Sequence, residues 1–164
     1  MAVCDIVVAA EDATFSLSEA RLGLIPAVIA PFLLRKAGES FLRRYALTGE
    51  TFTTAVAHRF GLVHDVVSQS DLDDRITELI DTIMRVAPRA TRATKELVLK
   101  IRPLPDQERE MTCAEANASA RCGSEAVEGL RAFVEKRLPQ WAVGQAQPSE
   151  RKRPKEHHVA SRPT

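Results

Sequence analysis

Short apolar runs in the first half of the chain predict three strands. Residues 6–10 form a continuous run rich in β-branched side chains, which is typical of a strand buried on both faces. Residues 13–17 alternate between polar and apolar side chains, as a short half-buried strand does. Residues 62–67 predict the third strand. A strand buried on both faces needs neighbours on both edges, so these few strands predict an incomplete sheet, and we expect part of the fold to precede the chain.

Apolar periodicity predicts helices in the remainder of the chain. Glycines stand at the predicted ends of the first three helices, where a left-handed residue often closes a helix. Leu72, Ile76 and Leu79 begin an amphipathic stripe that ends at Pro88. The predicted helices span residues 27–37, 40–48, 54–61, 71–87, 89–101, 106–122 and 124–137. Together with the strands they indicate an α/β fold.

The pattern divides the chain into three regions. Residues 1–67 hold the predicted strands, residues 68–141 are helical, and residues 142–164 form a basic tail with little predicted order. Trp141, just after Pro139, is expected to dock the end of the last helix against the body. No internal repeat is visible.

Composition narrows the class of protein. The chain is 45% hydrophobic and 27% charged, with a formal net charge of +1, as in soluble globular proteins. No apolar run reaches the roughly 18 residues of a membrane span, and the start lacks the basic region of a signal peptide, so we expect a cytoplasmic protein with no membrane partner. The body is near neutral, and we expect no nucleic-acid partner, although a basic patch at 151–155 keeps that alternative open.

Cysteine and histidine usage gives no metal site. Cys4, Cys113 and Cys122 are odd in number and form no C-x-x-C motif, so buried free thiols are expected. His58 and His64 have no further ligand at metal-binding spacing, and structural or surface roles are expected for both.

The segment from residue 15 to residue 26 is the best candidate for chemistry. It is a polar loop between a predicted strand and a helix, where catalytic groups concentrate. Glu19 stands among Leu17, Leu22, Leu24 and Ile25, so its carboxylate is expected to be partly desolvated, which suits a general acid or base. A helix cap or an ion pair with Arg21 are the alternative roles.

Several short motifs, in this order and spacing, resemble the enoyl-CoA hydratase/isomerase (crotonase) family. The resemblance covers about residues 4–141. The matching segments are residues 4–10, 13–15, 18–19, 23–26, 47–49, 57, 61–63 and 128–137.

The resemblance implies a ββα spiral followed by a helical trimerisation region, assembled as a homotrimer or hexamer. It implies an acyl-CoA substrate and no separate cofactor, since coenzyme A is part of the substrate. Glu19 matches the family's second catalytic glutamate, which moves a proton during hydration of a 2-enoyl-CoA. Gly23 and Pro26 would shape the acyl pocket, and Phe133 and Lys136 would contact the nucleotide end of coenzyme A in a neighbouring subunit.

The chain also departs from the family pattern. The oxyanion-hole N–H donors and the first catalytic glutamate have no match in it, so we expect weak activity or none from this chain alone. Residues 26–31 replace a glycine-rich stretch and are similar to methylglutaconyl-CoA-hydratase-like members, which points to leucine or related catabolism. Isomerase activity remains open. The alternative is a non-catalytic interaction module that assembles with a full-length paralogue.

Overall fold

A computed structural model describes residues 1–143. The described residues divide into two compact units, Met1–Ile80 and the part that begins at Asp81. The sequence-based regions, with boundaries after residues 67 and 141, stay a prediction. Most of the basic tail expected at 142–164 lies outside the described residues.

The first unit contains four short strands and the helices between them. The strands form two separate pairs, β1 with β4 in parallel and β2 with β3 antiparallel. A 3-10 turn, Glu19–Leu22, follows β2, and a second, Gln69–Asp71, precedes α3. The other elements are β1 Val8–Ala10, β2 Thr14–Ser16, α1 Ala30–Thr48, β3 Thr51–Thr53, α2 Thr54–Arg59, β4 Asp65–Val67 and α3 Leu72–Met84.

The β2–β3 pair exists because each strand has one aromatic residue between two polar ones. Phe15 is the register partner of Phe52, and their ring centroids are 5.7 Å apart. Threonine and serine side chains lie on the opposite, exposed face. Cross-strand aromatic pairs of this kind stabilise short antiparallel ladders.

The core of the first unit surrounds Phe41 of α1. This side chain is 1% exposed, and its ring centroid lies 4.7 Å from that of Tyr45 and 5.1 Å from those of Phe52 and Phe60. Such spacings are typical of stabilising aromatic pairs. The buried residues of the same cluster are Ala9, Leu17, Leu33, Tyr45, Phe52, Ala57, Leu62 and Val63.

A buried hydroxyl ties the strands to α2. Thr54 is fully buried, and its Oγ1 lies 2.7 Å from the Ala10 carbonyl oxygen and 2.9 Å from that of Ala13. The Thr54 N–H also donates to Ala13, at 3.1 Å. The turn between β1 and β2 is therefore fixed from the first residue of α2.

The second unit is helical. It contains the end of α3, then α4 Pro88–Ile101, α5 Asp106–Arg121, α6 Ser124–Val134 and a 3-10 turn Gln140–Ala142. Among its described residues only Ala132 and Ala142 are buried apolar ones, at 1% and 5% exposure. An open groove of about 660 Å³, lined in part by alanine and glycine, lies between α4, α5 and α6. Along residues 1–143 no helix has both the length and the apolar character needed to cross a membrane.

The predicted α/β class and helix stops are confirmed. Gly38, Gly49 and Gly61 all have positive φ, at 85°, 62° and 73°. Gly38 has non-helical torsions inside α1, which separates the two helices expected there. The first of these begins at residue 30, not 27, because residues 27–29 form a turn.

Other expectations about the elements were wrong. Each predicted strand is only three residues long, because pairing ends where its single described partner ends. The sequence analysis does not predict β3, because this strand has only three residues and α2 begins directly after it, at Thr54. The cysteines are free, as expected, but Cys4 and Cys122 are exposed and Cys113 is half-buried, because the helix surfaces that carry the last two are not covered.

Replacing the central ring tests this description of the core. We expect Phe41→Ala to lower the free energy of unfolding by about 3–5 kcal/mol, the usual cost of an aromatic cavity. Leu47→Ala is the matched control on the same helix, because Leu47 is 76% exposed. Urea denaturation followed by circular dichroism measures both. Equal losses in the two variants would contradict the central role of Phe41.

Candidate functional site

The segment after β2 forms a closed turn anchored at one end. Leu17, 9% exposed, holds its start in the core. The chain then enters the 3-10 turn Glu19–Leu22, which ends at Gly23. The Leu24 N–H donates to the Glu19 carbonyl at 3.0 Å and the Gly23 N–H donates to that of Ala20 at 3.3 Å. Backbone hydrogen bonds therefore fix the position of Glu19.

The Glu19 side chain is half-buried at the first position of this turn. Within residues 1–143 its carboxylate has no hydrogen-bond or ion-pair partner. The alternative ion pair with Arg21 is not formed. The Arg21 side chain instead lies along Gly49, with Nε 3.0 Å from where a Cβ would stand. The carboxylate of Glu19 is thus left available to accept or donate a proton.

The apolar residues expected to surround Glu19 are mostly exposed, which corrects that expectation. Leu22, Leu24 and Ile25 are 73%, 61% and 79% exposed, and only Leu17 is buried. The physical reason is that backbone bonds alone close the turn, so its apolar side chains are not needed to hold it. Val28, which follows, is 86% exposed. An apolar surface therefore follows Glu19 along the chain.

Gly23 and Pro26 set the backbone of this segment. Gly23 has φ of 71°, and a Cβ there would meet nothing within 4 Å, so its left-handed conformation and not a lack of space favours glycine. The Pro26 carbonyl accepts a hydrogen bond from Ala30 N at 2.8 Å, directly before α1. Both residues thus direct the path of the chain between Glu19 and α1.

The other predicted site residues lie at the end of α6, in the second unit. Phe133 is 82% exposed, so its ring is free to contact a ligand or another subunit. Lys136, just past the helix, has φ of 53° and an exposed side chain. Its N–H donates to the Phe133 carbonyl at 3.2 Å, and the Arg137 N–H donates to that of Ala132 at 3.0 Å. This pair of bonds is the Schellman helix ending, with lysine where glycine usually stands.

A pair of charged residues closes the same turn, and no sequence pattern singles it out. Arg137 donates from both terminal nitrogens to the Glu128 carboxylate, at 2.7 and 2.9 Å. Glu128 also accepts the Gln140 N–H at 2.9 Å. The hydrogen bonds from Arg137 lower the pKa of Glu128 from 4.5 to about 2. The spacing of nine residues exceeds the helical repeat, and so no periodic pattern marks the pair.

The Trp141 ring packs on α6. It approaches Gly129 of α6 so closely that a Cβ there would lie 3.2 Å from the indole. Trp141 therefore contacts the last helix at Gly129, and the docking of the end of that helix against the body stays a prediction.

The two histidines both bind backbone groups. His58 Nδ1 lies 3.1 Å from the Val63 carbonyl oxygen, so this nitrogen carries a proton. His64 Nδ1 instead accepts the Val7 N–H at 3.0 Å. No group of three or more potential metal ligands occurs among the residues that the structure describes. These contacts agree with structural roles for the histidines.

Comparison with known proteins identifies the family to which the chain belongs. The enoyl-CoA hydratase/isomerase family profile matches residues 1–144. Mevalonyl-coenzyme A hydratase of Aspergillus fumigatus is 37% identical over 153 residues, which cover 86% of this chain and 53% of that protein. The chain spans about half the length of the curated relatives it matches.

Solved structures give the same result. The enoyl-CoA hydratase of Shewanella pealeana superposes with a TM-score of 0.79 at 39% identity, over 85% of this chain and 52% of that one. Pseudomonas aeruginosa AtuE gives 0.80 at 42% identity, over 86% of this chain and 55% of that one. The chain therefore belongs to the enoyl-CoA hydratase/isomerase family, and its fold is part of the crotonase spiral with the helices that follow it.

The charged turn at the end of α6 predicts acid sensitivity. Because the folded pKa of Glu128 lies below its ordinary value, its stabilising contribution is present above pH 4.5 and is lost as the pH falls toward about 2. We expect Glu128→Gln to lower the melting temperature at neutral pH, and this difference from wild type to shrink over that range. Thermal unfolding followed by circular dichroism at a series of pH values measures it.

Glu110→Gln provides the matched control, since Glu110 is exposed and has no ion-pair partner in the described part of the chain. Its melting curve should follow that of wild type at each pH. A difference between Glu128→Gln and wild type that is the same at low and neutral pH would contradict the assignment.

Proposed function

We propose that this chain is part of an acyl-CoA-processing enzyme whose reaction is the hydration of a 2-enoyl-CoA. The observation that carries the proposal is the unpaired, half-buried carboxylate of Glu19 on a rigid turn beside exposed apolar side chains. Family membership supplies the chemistry in which such a carboxylate serves. No metal or separate cofactor is needed for it.

Hydration places a hydroxyl group on the β-carbon and a proton on the α-carbon of the enoyl thioester. Glu19 protonates the α-carbon or orients the water by accepting its proton, which are both roles for a carboxylate within hydrogen-bond reach. Negative charge develops on the thioester oxygen, and hydrogen-bond donors to that oxygen supply a large part of the rate. The resemblance provides Glu19 but no such donors, so we expect the chain by itself to act slowly.

The substrate would lie along the apolar surface that follows Glu19. Gly23 and Pro26 shape the acyl pocket by directing the backbone, and the exposed side chains of Leu24 and Ile25 supply apolar contact area. The Pro26–Pro31 segment supports a branched acyl group of the kind formed in leucine catabolism.

The nucleotide end of coenzyme A would meet Phe133 and Lys136 of a neighbouring subunit. The exposed ring supports stacking on adenine, and the Lys136 ammonium has no partner in the described residues and is free to pair with phosphate. Assembly as a homotrimer or hexamer is supported by the apolar side chains exposed on α6, among them Val127, Leu130 and Val134.

The role of Glu19 is tested by hydration of crotonyl-CoA. We expect the purified chain to act slowly and Glu19→Gln to lower the rate by about 100-fold or more, or to the rate without protein, because the amide cannot transfer the proton. The loss of ultraviolet absorbance of the conjugated thioester measures the rate.

Glu11→Gln is the matched control, since Glu11 is an exposed glutamate in the preceding turn. It should leave the rate unchanged. An ordinary enzymatic rate that survives Glu19→Gln would refute the proposal.

Binding of coenzyme A tests Lys136 separately. We expect Lys136→Met to weaken binding about tenfold, the loss of one charge-assisted contact of about 1.4 kcal/mol, and wild-type affinity to fall with added salt. Isothermal titration calorimetry measures the affinity. Lys100→Met on α4 removes another exposed ammonium and should bind as wild type does. Equal affinity of wild type and Lys136→Met would contradict the assignment.

A non-catalytic interaction module is the second candidate. The large exposure of Leu22, Ile25 and Val28 favours it, because such a surface also suits contact with another protein. Mixed oligomers with a full-length family member, combined with a crotonyl-CoA rate that Glu19→Gln does not change, would decide for this alternative.

A further inference from the structure

Lys136 is held in a backbone conformation that lysine disfavours. Within residues 1–143 it is the one non-glycine residue with positive φ, at 53°. The left-handed conformation is unfavourable for a residue with a Cβ, and observed strain of this kind is a reason to look for a function. Something beyond the Schellman bonds must therefore favour lysine at this position.

The neighbouring charges hold the turn from both sides. Arg137 donates through two nitrogens to Glu128 and through Nε to Glu135, at 2.6 Å. Glu128 is only 16% exposed, and it also accepts the Gln140 N–H. Because these bonds bracket residue 136 along the chain, they fix its backbone from the helix on one side and the following turn on the other.

The ion pairs around this turn leave one cation without a carboxylate partner. Arg131 pairs with Glu135 at 2.8 Å, and Arg137 pairs with Glu128 and Glu135. Of the three cations from 128 to 140, only Lys136 has no carboxylate partner in the described residues. The end of α6 therefore presents one uncompensated ammonium, on a fixed backbone, to an anion.

We propose that Arg137 and Glu128 are positioning residues that hold Lys136 for a phosphate of coenzyme A. This inference rests on the proposed function, in which Lys136 binds the nucleotide end. The pair itself does not touch the ligand. The ion pair keeps the backbone of residue 136 left-handed. Glu128 also neutralises the guanidinium of Arg137, which would otherwise compete with Lys136 for the phosphate.

Arg137→Lys tests this proposal, because it keeps the charge but loses the two-pronged contact with Glu128. Calorimetric titration with coenzyme A should show a 3- to 10-fold loss of affinity, on the order of one weakened charge-assisted contact. In the Lys136→Met background the same substitution should cause no further loss. Arg43→Lys is the control, since Arg43 makes an exposed pair with Glu39 far along the sequence, and it should bind as wild type does.

Melting temperatures measured without ligand test whether the ion pair controls the backbone of residue 136. When the network is lost, the strain of Lys136 can relax and offset part of the loss, whereas glycine has no such strain, so Arg137→Lys should lower the melting temperature more in a Lys136→Gly chain than in wild type. Equal shifts in the two backgrounds would overturn the proposed control of the residue 136 backbone.

The binding outcomes separate this proposal from the proposed function. Wild-type affinity in Arg137→Lys together with weak binding by Lys136→Met refutes positioning but leaves the role of Lys136 intact. An equal loss on adding Arg137→Lys to wild type and to Lys136→Met shows a general effect on the fold and also refutes positioning. If Lys136→Met binds as tightly as wild type, or wild type does not bind coenzyme A, the role of Lys136 and the positioning proposal both fail.

Discussion

The burial of the Phe41 ring is the interaction on which the first unit depends. This one side chain contacts aromatic rings from α1, from β3 and from the end of α2, so three elements meet at it. Leu17 belongs to the same cluster and is the last buried residue before Glu19. The hydrophobic core therefore anchors the chain two residues before the candidate proton donor Glu19.

In the second unit, carboxylates hold the ends of the helices in place. Glu125 of α6 accepts the N–H groups of Arg89 and Ala90 at 2.9 and 2.8 Å, which satisfies the first turn of α4. Glu128 in turn fixes the end of α6 through Arg137. Because few apolar side chains of this unit are buried, the ends of its helices depend strongly on charge-assisted hydrogen bonds.

Local chemistry decides which parts of the fold could be predicted from the sequence. The stops at Gly38, Gly49 and Gly61 were predictable because positive φ favours glycine at each. The strand β3 could not be predicted, because it has only three residues and its last residue, Thr53, is also the N-cap of α2. Burial was the least predictable property, as the exposed cysteines show, since it depends on contacts between distant segments.

The candidate site divides in the same way. A polar loop after a strand made Glu19 a candidate, and the resemblance supplied its catalytic role together with Gly23, Pro26, Phe133 and Lys136. The pairing of Glu128 with Arg137 required the structure, because it joins a helix to the turn beyond its end. The environment of Glu19 also required it, since the exposure of Leu22 and Leu24 contradicts what their apolar character indicates.

The parallel pairing of β1 with β4 has a consequence for synthesis of the chain. His64, which binds Val7 through both its backbone and its ring, follows that residue by 57 positions. At the usual translation rate of 5–20 residues per second, roughly 3–10 s pass between synthesis of β1 and synthesis of its partner β4. During that interval residues 6–10 lack their β4 partner, and an unpaired apolar strand is open to pairing with another chain.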